Sequence, residues 1–123
     1  MKNLITILFT SLLCLSANAY ASGTDKVAAD EAWNKIQHGA LLVDVRTPKE
    51  FQSGHIEGAV NIPHTEITKK IAELEKNKER EIVLYCRSGK RAGKALEALK
   101  QLGYQHVVNA GGYRDLLEHA PKG

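Results

Sequence analysis

Cys86 opens the run Cys86-Arg87-Ser88-Gly89-Lys90-Arg91, in which a thiol is followed by three cations within five positions. The thiolate is the nucleophilic form of cysteine, and nearby positive charge favours it. Gly89 lets the backbone turn so that several amides can point inward as an anion-binding nest. The run follows the apolar stretch Ile82-Val83-Leu84-Tyr85 and precedes a helical pattern, so Cys86 falls between a strand end and the positive end of a helix dipole. Ligands of open α/β sheets collect at that place. The chemistry predicted is attack on sulfur by a thiolate that is available at neutral pH, beside a rim that attracts a small anion. An inert buried cysteine fits three adjacent cations poorly.

The other cysteine, Cys14, lies in a segment set apart by composition. Met1-Lys2-Asn3 is a short basic start, Leu4 to Leu15 is an apolar run broken only by Thr and Ser, and Ala17-Asn18-Ala19 and Ala19-Tyr20-Ala21 each fit the pattern that signal peptidase cleaves. Residues 1–21 therefore read as an export leader cut after Ala19 or Ala21, and residues 22–123 as one mature domain in a bacterial periplasm. The apolar run falls short of the roughly 20 residues needed to span a bilayer, so no stable membrane association is expected after cleavage. Leu13, directly before Cys14, does not suit lipoprotein processing.

Removing the leader leaves 102 residues, enough for one modest core. Without Lys2 there are 16 Lys and Arg against 14 Asp and Glu, a net charge of +2 that argues against a nucleic-acid partner. Cys86 becomes a lone thiol that has no internal partner for a disulfide, and in an oxidising compartment such a thiol is either buried or used.

Strand-like and helix-like stretches alternate in the order that would position this thiol. Asp30 is read as the cap of a short helix with Ala32, Trp33 and Ile36 on one face, and Gly39 as its left-handed stop. Leu41 to Val45 is a nearly continuous apolar strand, as expected of a parallel strand covered on both faces. A second helix is expected after Pro63, with Ile67, Ile71 and Leu74 in one buried stripe. The helix after the Cys86 loop carries Ala92, Ala95, Leu96, Leu99 and Leu102 on one side and ends at Gly103. Val107-Val108 reads as a further strand, Gly111-Gly112 as a tight turn, and Leu116-Leu117 as the apolar face of a last helix. Repeated βα units in one small domain predict an α/β fold with a central, mostly parallel sheet flanked by helices on both faces.

Two segments resemble a known family. Asp44-Val45-Arg46-Thr47-Pro48-Lys49-Glu50-Phe51, then Gly54-His55-Ile56-Glu57-Gly58-Ala59-Val60-Asn61-Ile62-Pro63, is similar to the signature segment of rhodanese domains. The Cys86–Arg91 run resembles the active-site loop of that family, and Asn109-Ala110-Gly111-Gly112 its closing turn. The size and leader look most like its exported, single-domain thiosulfate sulfurtransferases. Tyr113 departs from the pattern, since many members carry Trp there. The resemblance implies that Cys86 takes the outer sulfur of thiosulfate, releases sulfite, and passes the sulfur to cyanide or a thiol. The amides of residues 87–91 would cradle the persulfide, Arg87 and Lys90 would face incoming anions, and Arg91 would brace the loop. No cofactor is needed, and a monomer or weak dimer is expected.

Asp44, Arg46 and Glu50 invite an acid/base reading, yet sulfur transfer between soft nucleophiles moves few protons, and hydrogen bonds that hold the loop after the first strand suit them better. His55 is read likewise, as the holder of a turn. No second His or Cys stands at a metal-ligand spacing from it, so no metal site is expected. Two rivals remain. A cysteine phosphatase would also set Cys before an anion loop and an Arg, but Cys86 and Arg91 enclose four residues, one fewer than such loops hold. A noncatalytic module that carries persulfide sulfur delivered by another protein is the second.

Overall fold

The computed structural model describes residues 25–122. Four strands, β1 (Leu41–Asp44), β2 (Val60–Asn61), β3 (Glu81–Cys86) and β4 (His106–Gly112), form one sheet in the order β2-β1-β3-β4, with every pairing parallel. The helices are α1 (Ala29–Gln37), α2 (Pro48–Ser53), α3 (Ile67–Leu74), α4 (Lys90–Gln101) and α5 (Tyr113–Glu118), with a 3₁₀ turn at His64–Glu66. The leader read at residues 1–21 lies outside the described residues. Among the described residues no helix is long and apolar enough to cross a membrane.

Strand β3 shows why its sequence is apolar throughout. Ile82, Leu84 and Cys86 join the core beneath α3 and α4, with Ala95, Leu96 and Leu99. Val83 and Tyr85 point the other way, into a second core with Ala32 and Leu116 from α1 and α5. A strand buried on both faces keeps no polar side, so alternation disappears from its sequence. The α/β architecture with helices on both faces is thus the one expected from the order of elements.

Several local readings need correction. Asp30 does not cap α1; Ala28 holds that position, and Asp30 sits in the first turn, where a carboxylate complements the helix dipole. Strand β1 ends at Asp44, although the Val45 amide still donates to the Tyr85 carbonyl at 2.9 Å. Gly111-Gly112 is the end of β4 and not a separate turn, with Gly112 in register with Cys86 and α5 following at once. Leu74, Leu102 and Leu117 are 47%, 38% and 48% exposed, because each falls at a helix end, past the part that the sheet covers.

Helix α2 is additional to the elements expected from periodicity, and its signal lies in its cap. Thr47 caps it, its hydroxyl accepting from the Glu50 amide at 3.2 Å while Glu50 Oε1 accepts from the Thr47 amide at 3.0 Å. With Pro48 at the first helical position, Thr47-Pro48-Lys49-Glu50 is a capping box that holds even this short helix in place. Strand β2, two residues long, leaves no periodicity to read.

Candidate active site

Cys86 is the last residue of β3 and is 1% exposed. Gly89, at φ +96, turns the chain sharply into α4, which starts at Lys90; Lys90 and Arg91 therefore belong to the first helical turn and only Arg87, Ser88 and Gly89 form the loop. The turn directs backbone donors at the thiol. The Gly89 amide lies 3.0 Å from Cys86 Sγ and the Ala92 amide 3.4 Å. The second of these is one of the free N–H groups at the head of a twelve-residue helix, where an anion is also favoured by the dipole. Amides thus face Cys86 Sγ from positions 89 and 92.

The loop rests on the end of β4. Asn109, buried, donates from Nδ2 to the Gly89 carbonyl at 2.9 Å and accepts from the Gly111 amide at 2.8 Å. A Cβ on Gly112 would lie 2.5 Å from the Arg87 carbonyl oxygen, and one on Gly89 would lie 3.2 Å from the Gly111 Cα. Only glycine at 112 permits that approach. Asn109 is a site residue that sequence reasoning noted only as part of a closing turn; a side chain bracing a loop twenty residues away has no local signature.

The polar residues after β1 form a second layer. Asp44 is fully buried and accepts from the Arg46 amide at 2.9 Å and from its guanidinium at 2.7–3.1 Å. Arg46 also donates to the Gly54 carbonyl at 2.7 Å and packs over the Tyr113 ring at 4.6 Å. The hydrogen bond to Asp44 raises the Arg46 pKa above its ordinary value. Burial pushes the Tyr85 hydroxyl upward, so it stays neutral while it accepts from the Ile56 amide at 3.0 Å. Glu50 takes Arg91 in a two-point contact of 2.7 and 3.1 Å, and that hydrogen-bonded pairing, aided by Thr47, holds the carboxylate down at about 2. Arg91 is thus occupied by Glu50, which leaves it no free fork for a phosphoryl group and counts against the phosphatase rival.

His55 stacks on Phe51 at 3.6 Å between ring centres, with Nδ1 2.8 Å from the Phe51 carbonyl, at the exit of α2. It is exposed and lines neither of the two cavities beside the Cys86 loop. The first of these, about 500 Å³, lies between α2 and α5 and is lined by Arg46, Glu50, Ser53, Arg87, Tyr113 and Arg114. The second, about 490 Å³, runs along the end of β4 and includes Lys26, Arg87, Ser88, Gly112, Arg114 and Glu118. Arg87 borders both, whereas Cys86 Sγ lines neither and Lys90 lines neither. Among the described residues no three His, Cys, Asp or Glu side chains gather as a metal site.

A family model described as "Rhodanese-like domain" matches residues 28–119. The chain belongs to that family. Thiosulfate sulfurtransferase PspE of Escherichia coli strain K12 is 41% identical over 81 residues, 66% of this chain and 78% of PspE. Human thiosulfate:glutathione sulfurtransferase is 33% identical over 111 residues, 79% of this chain and 96% of its own length. Among solved structures, an E. coli rhodanese with anions superposes with a TM-score of 0.63 at 38% identity, covering 68% of this chain and 95% of that one. Human single-domain sulfurtransferase TSTD1 superposes at 0.69 with 32% identity, covering 79% of this chain and 98% of that one. The rhodanese-like chain thus shares its fold and family with sulfurtransferases, several named for thiosulfate.

Proposed function

We propose that the protein is a thiosulfate sulfurtransferase that carries sulfur on Cys86. The Cys86 thiolate attacks the outer sulfur of thiosulfate, the sulfur–sulfur bond of the donor breaks, and sulfite leaves with the bonding pair. A nucleophile, cyanide or a thiol, then attacks the outer sulfur of the Cys86 persulfide and the Cys86 thiolate departs. No external oxidant or reductant enters. Glutathione is the acceptor that the name of the human relative suggests for the thiol. The observation that supports this reading most is the pair of amides from Gly89 and Ala92 directed at a single sulfur at the head of α4, an arrangement suited to an anion. Arg87 and Ser88 are the exposed rim past which donor and acceptor approach. With the leader removed, the reaction would take place in the periplasm.

Steady-state sulfite release from thiosulfate, with cyanide and with glutathione as acceptors, tests the proposal, together with intact mass after thiosulfate treatment. Wild type is expected to release sulfite and to gain the mass of one sulfur atom; Cys86→Ala is expected to do neither. A protein that takes up sulfur only from another persulfidated protein would be a carrier, and the thiosulfate reading would fall.

A further inference from the structure

Of the three cations nearest the thiol in sequence, Arg91 is paired with Glu50 and Lys90 lines neither cavity beside the loop, which leaves Arg87. Around the cavity between α2 and α5, Arg46 is held by Asp44 and the Gly54 carbonyl, and Glu50 is neutralised by Arg91. Two cations remain on its wall, Arg87 and Arg114, and among the described residues neither has a carboxylate within salt-bridge distance. Arg114 comes from a different element, the first turn of α5. It is nonetheless held close to the thiol loop, because Gly112, two residues earlier, is in register with Cys86 and closes on the Arg87 carbonyl. Tyr113, whose ring lies under the Arg46 guanidinium, lines the same cavity. The second cavity also borders both arginines, with Lys26 as a third cation, but Asp115 and Glu118 line it too, whereas in the first cavity Glu50, the carboxylate of that wall, is already paired with Arg91.

We infer that Arg114 is a substrate-binding residue, forming with Arg87 a two-arginine clamp that holds the oxyanion end of a small dianionic sulfur donor in the cavity between α2 and α5. The inference rests on the sulfur-transfer reading for the identity of the donor. Two guanidinium forks can each present paired N–H groups to the oxygens of a sulfonate-like group, beside the loop that carries Cys86. A clamp of this kind contributes to binding and not to the bond exchange, so its loss appears in KM.

The experiment compares wild type, Arg114→Gln and Lys94→Gln, the last removing an exposed charge from α4 that lines neither cavity. Arg114→Gln is expected to raise KM for thiosulfate about 3- to 10-fold with kcat nearly unchanged, and to flatten the dependence of KM on salt. Lys94→Gln is expected to behave as wild type. Inorganic thiosulfate titrated into Cys86→Ala, with and without Arg114→Gln, reads the clamp apart from the chemistry. Equal KM in Arg114→Gln and wild type would overturn the clamp while leaving sulfur transfer intact. Absent turnover in wild type, with thiosulfate binding to Cys86→Ala that depends on Arg114, would instead leave the clamp standing and remove the transferase reading. Without turnover, binding that ignores Arg114 overturns both.

Discussion

The chain leaves β1 and β3 by opposite means, although the two strands are neighbours. After β1 the turn is built from side chains: Asp44 holds Arg46, Thr47 and Glu50 cap α2, and Glu50 reaches across to Arg91. After β3 it is built from backbone: amides meet the sulfur, and glycines at 89 and 112 allow two stretches of chain to touch. The difference divides the labour. Ion pairs that satisfy one another hold α2 and the head of α4 in place whether or not substrate is bound, and backbone donors leave Arg87 and Ser88 free on the outside of the cup.

Breaking the side-chain turn should have the largest effect. Asp44→Ala removes the partner of an arginine that is 6% exposed, and an uncompensated buried charge costs about 3–5 kcal/mol. Urea denaturation should show that loss; a change under about 1 kcal/mol would mean that water or the Gly54 carbonyl replaces Asp44.

A substitution on the backbone side should be smaller in stability and larger in activity. Gly112→Ala places a methyl group 2.5 Å from the Arg87 oxygen, so the loop must shift. Overpacking of this kind costs about 1–3 kcal/mol, and the displaced amides should cut sulfite release by more than tenfold. Asn109→Ala, which removes the brace without adding bulk, should lower kcat in the same direction. Full activity in both variants would show that the cup does not depend on β4.

The smallest effect sharpens the comparison through pH. The Glu50 carboxylate titrates at about 2 in the folded state against an ordinary 4.5, so its contribution is complete above about 4.5 and is lost as pH falls toward 2. For a pair that is partly open to solvent this amounts to about 1 kcal/mol. Wild type should therefore lose its stability advantage over Glu50→Gln across that window in acid denaturation. A difference that persists undiminished at pH 2 would place the effect in packing and not in charge.

Some of this was legible from order and periodicity alone. The unbroken apolar strand before Cys86, the helical stripe Ala92, Ala95, Leu96 and Leu99 after it, and Gly89 between them placed the thiol at a strand end and a helix head. Those are properties of neighbours along the chain, and short-range sterics and hydrophobic period decide them. The capping box at Thr47 is equally local, whereas the exposure of Leu74, Leu102 and Leu117 depends on where the sheet stops.

By itself, then, the sequence determined a parallel α/β domain with Cys86 set among cations. Which cations are free was a tertiary matter. Arg91 is consumed by a glutamate 41 positions away, Asn109 braces a loop 20 positions back, and Arg114 lines the cavities beside the loop, two residues after Gly112 closes on Arg87. A charge counts at a site only after its partners are known, and partners distant along the chain are set by packing, which no local pattern records.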